Sequence, residues 1–123
     1  MKSLENLLLE FLTELRKKPE IYLGEKSLRN LQHFIDGSVF IYSRMVGRHN
    51  EFLPGFQPFI QKKYNGGDAN SVYGIIIDHV SPDKGLDTYF ELLDEFLALS
   101  QEEQDKYIPK YIKEQMKASD QIE

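Results

Sequence analysis

The residues with the most chemical potential in this chain are its three histidines. His33 and Asp36 stand three apart, on one face of any helix that holds them, and Asp78-His79 could add two more ligands. A metal site needs those two places brought together. Neither H-E-x-x-H nor paired C-x-x-C spacing is present to announce one. The plainer reading leaves His33 and Asp36 on a helix surface. Nucleophilic chemistry has no better footing. Ser27, Ser71 and Ser100 each stand where a hydroxyl caps a helix, and none lies in a G-x-S-x-G elbow. Asp94 and Glu95 are neighbours pointing outward from a helix, unlike a general acid/base pair. Gly66-Gly67 lacks the Lys-Ser/Thr of a phosphate loop. The residues therefore nominate no catalytic group, no metal ligand set and no cofactor, and a non-enzymatic protein is expected.

What would position these residues is one folded domain. The 123 residues fit a single domain, and 41% hydrophobic with 12% aromatic residues is a core-forming composition. There is no cysteine, which excludes disulfides and thiolate metal sites and suits a reducing compartment. No apolar run approaches the roughly 20 residues of a membrane span. Glu5 and Glu10 interrupt what would be a secretory apolar segment. A soluble, cytoplasmic protein with no membrane partner is expected.

The apolar spacing is helical almost throughout. Leu4, Leu7, Leu8, Phe11, Leu12 and Leu15 mark a helix over 4–18, capped by Ser3 and ended by Pro19. Ile21, Tyr22 and Leu23 form a connector expected to fold onto the core, with Gly24 supplying the turn. Residues 28–46 predict the central helix, capped by Ser27 and closed by Gly47. Val39 and Phe40 make its middle apolar nearly all round, which predicts burial on more than one side. Gly37 within it predicts a kink or a close crossing. A loop over 48–55 precedes a short helix over 56–64, and Asn65-Gly66-Gly67-Asp68 is the clearest breaker. Residues 71–80 suit strand or helix. With no partner strand, the reading is a short buried helix. Helices over 84–99 and 101–117 follow. Ser100 and Glu103 form a capping box, Pro109 bends or splits the last helix, and 118–123 frays. The fold class is all-α, a single-domain bundle of about five or six helices.

Charge is uneven along the chain. Residues 1–64 carry +3 and residues 65–123 carry −8, together the net −5. An acidic back half argues against a nucleic-acid binder and suits a basic protein partner, or simply a solvated face. Asp87, Glu91, Asp94 and Glu95 share one helix face and are the candidate partner-binding carboxylates. Tyr107 and Tyr111 are the candidate binding aromatics, although core packing is the commoner use of such residues.

The stretch R-K-K-P-E-I-Y-L-G-E-K-S-L-R-N-L-Q-H-F-I-D-G, from Arg16 to Gly37, resembles a pattern in a poorly characterised family of small bacterial proteins. Gly55-Phe56 and Y-F-E-L-L-D-E-F, from Tyr89 to Phe96, fit the same pattern. Members of that family look like immunity partners of contact-dependent or polymorphic toxin systems. The resemblance implies a protein that binds and neutralises a cognate toxin domain, a nuclease among the options, and it transfers no catalytic residue. The alternative is a small homo-oligomeric regulatory or scaffold protein with no toxin partner.

Overall fold

The structure, a computed structural model, describes residues 3–47, 51–65 and 71–122, with side chains placed as far as 117. Its described residues are all-α. Eight helices follow one another: α1 Leu4–Leu15, α2 Pro19–Leu23, α3 Leu28–Val46, α4 Phe56–Tyr64, α5 Val72–His79, α6 Gly85–Leu97, α7 Gln101–Lys106 and α8 Lys110–Ile122. A 3-10 turn, Pro82–Lys84, leads into α6. The count exceeds five or six because two prolines act as punctuation. Pro19 opens α2, where a missing N–H costs nothing, and Pro109 divides the final helical stretch into α7 and α8.

Serine hydroxyls set four of the helix starts. Ser3 accepts from the Asn6 N–H at 3.1 Å, Ser27 from Asn30 at 3.1 Å and Ser71 from Gly74 at 2.9 Å. Ser100 accepts from Glu103 at 3.2 Å, and the Glu103 carboxylate receives the Ser100 N–H in return. Each bond satisfies an amide that the helix itself leaves open. Ser71 also resolves the ambiguous 71–80 segment in favour of helix. Gly47 closes α3 in the left-handed region at φ +74°.

The core is centred on α6, where the sequence predicted α3. Seven of the thirteen α6 residues are buried, and α3, α4 and α5 all pack on this helix. Phe96 meets the rings of Phe56 and Phe59 at 5.6 and 5.4 Å, while Tyr89 meets Phe56 edge-on at 5.6 Å. Such tilted and edge-on pairs satisfy the ring quadrupoles. In α3 only Leu28, Leu31 and Ile35 are buried, all within its first eight residues. Phe40, Ile41 and Met45 are exposed by 58, 57 and 71%. The predicted all-round burial of this helix is therefore overturned in its second half. The reason is length: nineteen residues span about 28 Å, against about 20 Å for α6. Gly37 sits in a continuous helix, and a Cβ there would meet nothing within 4 Å, so no close crossing occurs at it.

Other expectations change as well. α1 ends at Leu15, since Lys18 already leaves helical geometry ahead of Pro19. The buried stripe of α1 is Leu4, Leu8, Leu12 and Leu15, with Leu7 and Phe11 on its exposed edge. Ile21 and Tyr22 do not fold inward: α2 buries only Pro19, and Ile21 faces solvent. Among the described side chains of α8, only Ile112 is buried, leaving Tyr111 and Met116 exposed. The assigned helix continues through Ile122, over most of the stretch expected to fray.

Candidate partner-binding surface

The acidic residues of α6 occupy its solvent face because the opposite face is committed to the core. Asp87, Glu91, Asp94 and Glu95 fall within about 100° of arc at 3.6 residues per turn, and all four are exposed. Three of them hold a basic side chain from the front half of the chain. Arg16, at the end of α1, donates two parallel bonds to Asp94, of 2.8 and 2.9 Å. Its guanidinium also lies over the Phe90 ring at 4.7 Å. Lys26, between α2 and α3, reaches Asp87 at 3.0 Å, and Lys63 of α4 pairs with Glu95. Glu91 makes no ion pair among the described residues.

The hydrogen bond from Arg16 holds the Asp94 carboxyl below the ordinary carboxylate range, and the same contact raises the Arg16 guanidinium. The charge imbalance along the sequence is thus partly annulled in space. Basic residues of the first half sit on the acidic helix of the second. Arg16, Lys26 and Lys63 were not singled out from the sequence. The signal available was their position: Arg16 begins a basic run and Lys63 closes one.

The two tyrosines part company. Tyr107 is half-buried, edge-on to Phe59 at 5.4 Å, with the Lys62 ammonium 5.8 Å from its ring centre. It shares a shallow groove with Glu95, Lys63 and Leu99. Tyr111 stands on α8, 63% exposed and outside that groove. Among the six candidate residues, the structure brings Glu95 and Tyr107 together and leaves Tyr111 apart from that pair.

Elsewhere, Asp36 and His79 are in structural use. Asp36 accepts a bond from Gln32 at 2.9 Å, and His33 is exposed. His79 donates from Nδ1 to the Ile75 carbonyl at 2.8 Å and packs on Tyr64. His49 and the Gly66-Gly67 pair lie outside the described residues. Among the described residues, no group of three His, Asp or Glu side chains converges as a metal site would require. A cleft of about 520 Å³ opens between α3, residues 51–57 and the start of α5, with Asp36, Phe52, Tyr73 and Tyr89 in its lining. Burial pushes the Tyr89 phenol up, so it stays protonated at neutral pH.

Among the described residues, no helix is long and apolar enough to cross a membrane. Comparison with known proteins finds no matching family model, curated protein or solved structure.

Proposed function

We propose that this protein is a non-enzymatic immunity protein that binds a cognate toxin domain in the cytoplasm and neutralises it. The observation that carries the proposal is the carboxylate row on α6. Four acidic side chains project from the most deeply packed helix of the fold, so the platform beneath them is rigid. A preorganised surface loses little entropy when a partner docks. A basic, phosphate-binding surface such as a nuclease active site is the complementary chemistry.

The ion pairs on this face refine how it would work. Exposed pairs are worth about 0–1 kcal/mol each. A toxin's Arg or Lys can therefore displace Arg16, Lys26 or Lys63 from its carboxylate with little net cost. Long-range attraction, however, rests most on the carboxylate with no ion pair among the described residues. That residue is Glu91.

The test is to co-express the protein with the open reading frame adjacent to it in its native locus. Growth restored through a stable complex supports the proposal. A harmless neighbour, or toxicity with neither rescue nor complex, removes it. With the complex in hand, Glu91→Lys is expected to slow association roughly three- to tenfold at low salt and to weaken the salt dependence of the rate. Unchanged kinetics would move the interface off α6.

A further inference from the structure

The second half of α3 carries an unpartnered face whose pattern specifies its own partner. Residues four apart form a continuous row along a helix. One such row is Asp36, Phe40 and Arg44; the adjacent row is His33, Gly37, Ile41 and Met45. Phe40, Ile41 and Met45 are three of the most exposed large apolar side chains described, and Arg44 lies over the Phe40 ring at 5.2 Å. The apolar surface continues sideways onto α1. Phe34, seven residues before Ile41 on α3, stacks on Phe11 at 5.1 Å, and Tyr22 meets Phe11 edge-on at 5.2 Å. Phe11 and, one turn earlier, Leu7 are both partly exposed.

We infer that this face binds a second copy of the same chain, with the two α3 helices antiparallel and crossing near Phe40. The argument is the charge order of the first row. It reads acid, aromatic, base, and so is antisymmetric about Phe40. A two-fold axis there sets Asp36 of each protomer against Arg44 of the other and the two Phe40 rings against each other. The same surface in a parallel pair would oppose Asp36 to Asp36 and Arg44 to Arg44, which like-charge repulsion disfavours. Rows of this spacing run alongside each other when helices cross at about 50°, the commonest packing class. Gly37 supplies the close approach. Nothing lies within 4 Å of where its Cβ would be, so the groove beside Asp36 is open to the partner's Arg44 stem. A standard interface takes about 800 Å² per partner, a tenth of this molecule's 7963 Å². The α3 patch therefore needs the adjoining α1 surface to reach that size. The inference is independent of the toxin-binding proposal, since it uses the α3 face and not that of α6.

Sedimentation velocity over a concentration series tests it on the purified chain. Wild type is expected to be a concentration-dependent dimer. Arg44→Asp sets two acidic pairs across the axis and should weaken self-association by about tenfold or more. The double variant, Asp36→Arg with Arg44→Asp, reverses the row and should restore the dimer. Circular dichroism of each variant checks that the helices remain. A wild-type monomer throughout the series overturns the inference, as does a dimer that neither variant alters. Loss in the single variant without recovery in the double one overturns the antiparallel arrangement.

Discussion

The solvent faces of α6 and of the second half of α3 are opposites in chemistry and in origin. The α6 face is charged, and most of its charges are already matched from within the chain. The α3 face is apolar, and its charged residues are arranged to be matched from outside. The sequence suggests the reverse, with α3 as the buried centre and α6 as the bare binding face. The difference teaches that a helix's apolar content does not locate it. A thirteen-residue helix with a sharply divided surface can bury all of its apolar side but the final Leu97. A nineteen-residue helix in the same bundle outruns its neighbours, and Phe40, Ile41 and Met45 in its second half are left exposed.

The largest effect that would break this comparison is a truncation in each helix. Phe96→Ala removes a ring lodged against Phe56 and Phe59 and should cost about 3–5 kcal/mol in urea denaturation. Met45→Ala, from a side chain 71% exposed in the single chain, should fall within about 0.5 kcal/mol of wild type at concentrations where the chain is monomeric. Equal losses would show that α3 is as central as α6.

Two glycines sharpen it at the next scale. A Cβ at Gly55 would stand 3.0 Å from the Gln104 carbonyl oxygen and 3.3 Å from both Phe96 and Tyr107. Gly55→Ala should destabilise by about 1–3 kcal/mol, because backbone cannot retreat as a flexible side chain does. Gly37→Ala meets open space within a helix of the single chain and, at concentrations where the chain is monomeric, should stabilise by up to about 1 kcal/mol. Thermal melts of the two variants should shift in opposite directions.

The smallest effect is electrostatic. Arg16 lowers the Asp94 carboxyl in the folded state, so the stability it adds is complete above the unfolded value, about pH 4. That stability is lost as pH falls through the lowered folded value. Both partners are well exposed, which limits the contribution to about 1 kcal/mol or less. Asp94→Asn should therefore lower stability slightly at pH 7 and close the gap to wild type as the pH falls through the lowered Asp94 value. A gap that persists in acid would mean that Asp94 acts through packing.

Much of the fold was legible because it depends on local chemistry. Ser3, Ser27, Ser71 and Ser100 each cap the helix they precede, and the spacing of Leu86, Tyr89, Phe90, Leu93, Phe96 and Leu97 marks one side of α6, of which all but Leu97 are buried. Less legible was whatever depends on which elements meet. Leu7 and Phe11 lie within the apolar stripe of α1, yet they stand at its edge because the neighbouring helices cover the other four positions. Leu53 sits in a segment read as loop and is nevertheless buried, at φ +51°. The four carboxylates of the candidate surface were readable from their spacing. Their counter-charges were not, since those lie 78, 61 and 32 residues away along the chain.

The central position of α6 has a consequence for the order in which the chain is made. Six of the nineteen buried apolar side chains among the described residues belong to this helix, which begins only at Gly85. Until it is synthesised, α3, α4 and α5 lack the helix on which all three pack, and Arg16, Lys26 and Lys63 lack their α6 carboxylates. Contacts such as Phe11 with Phe34 join only the front of the molecule, and it is α6 that ties that front to the later part of the chain.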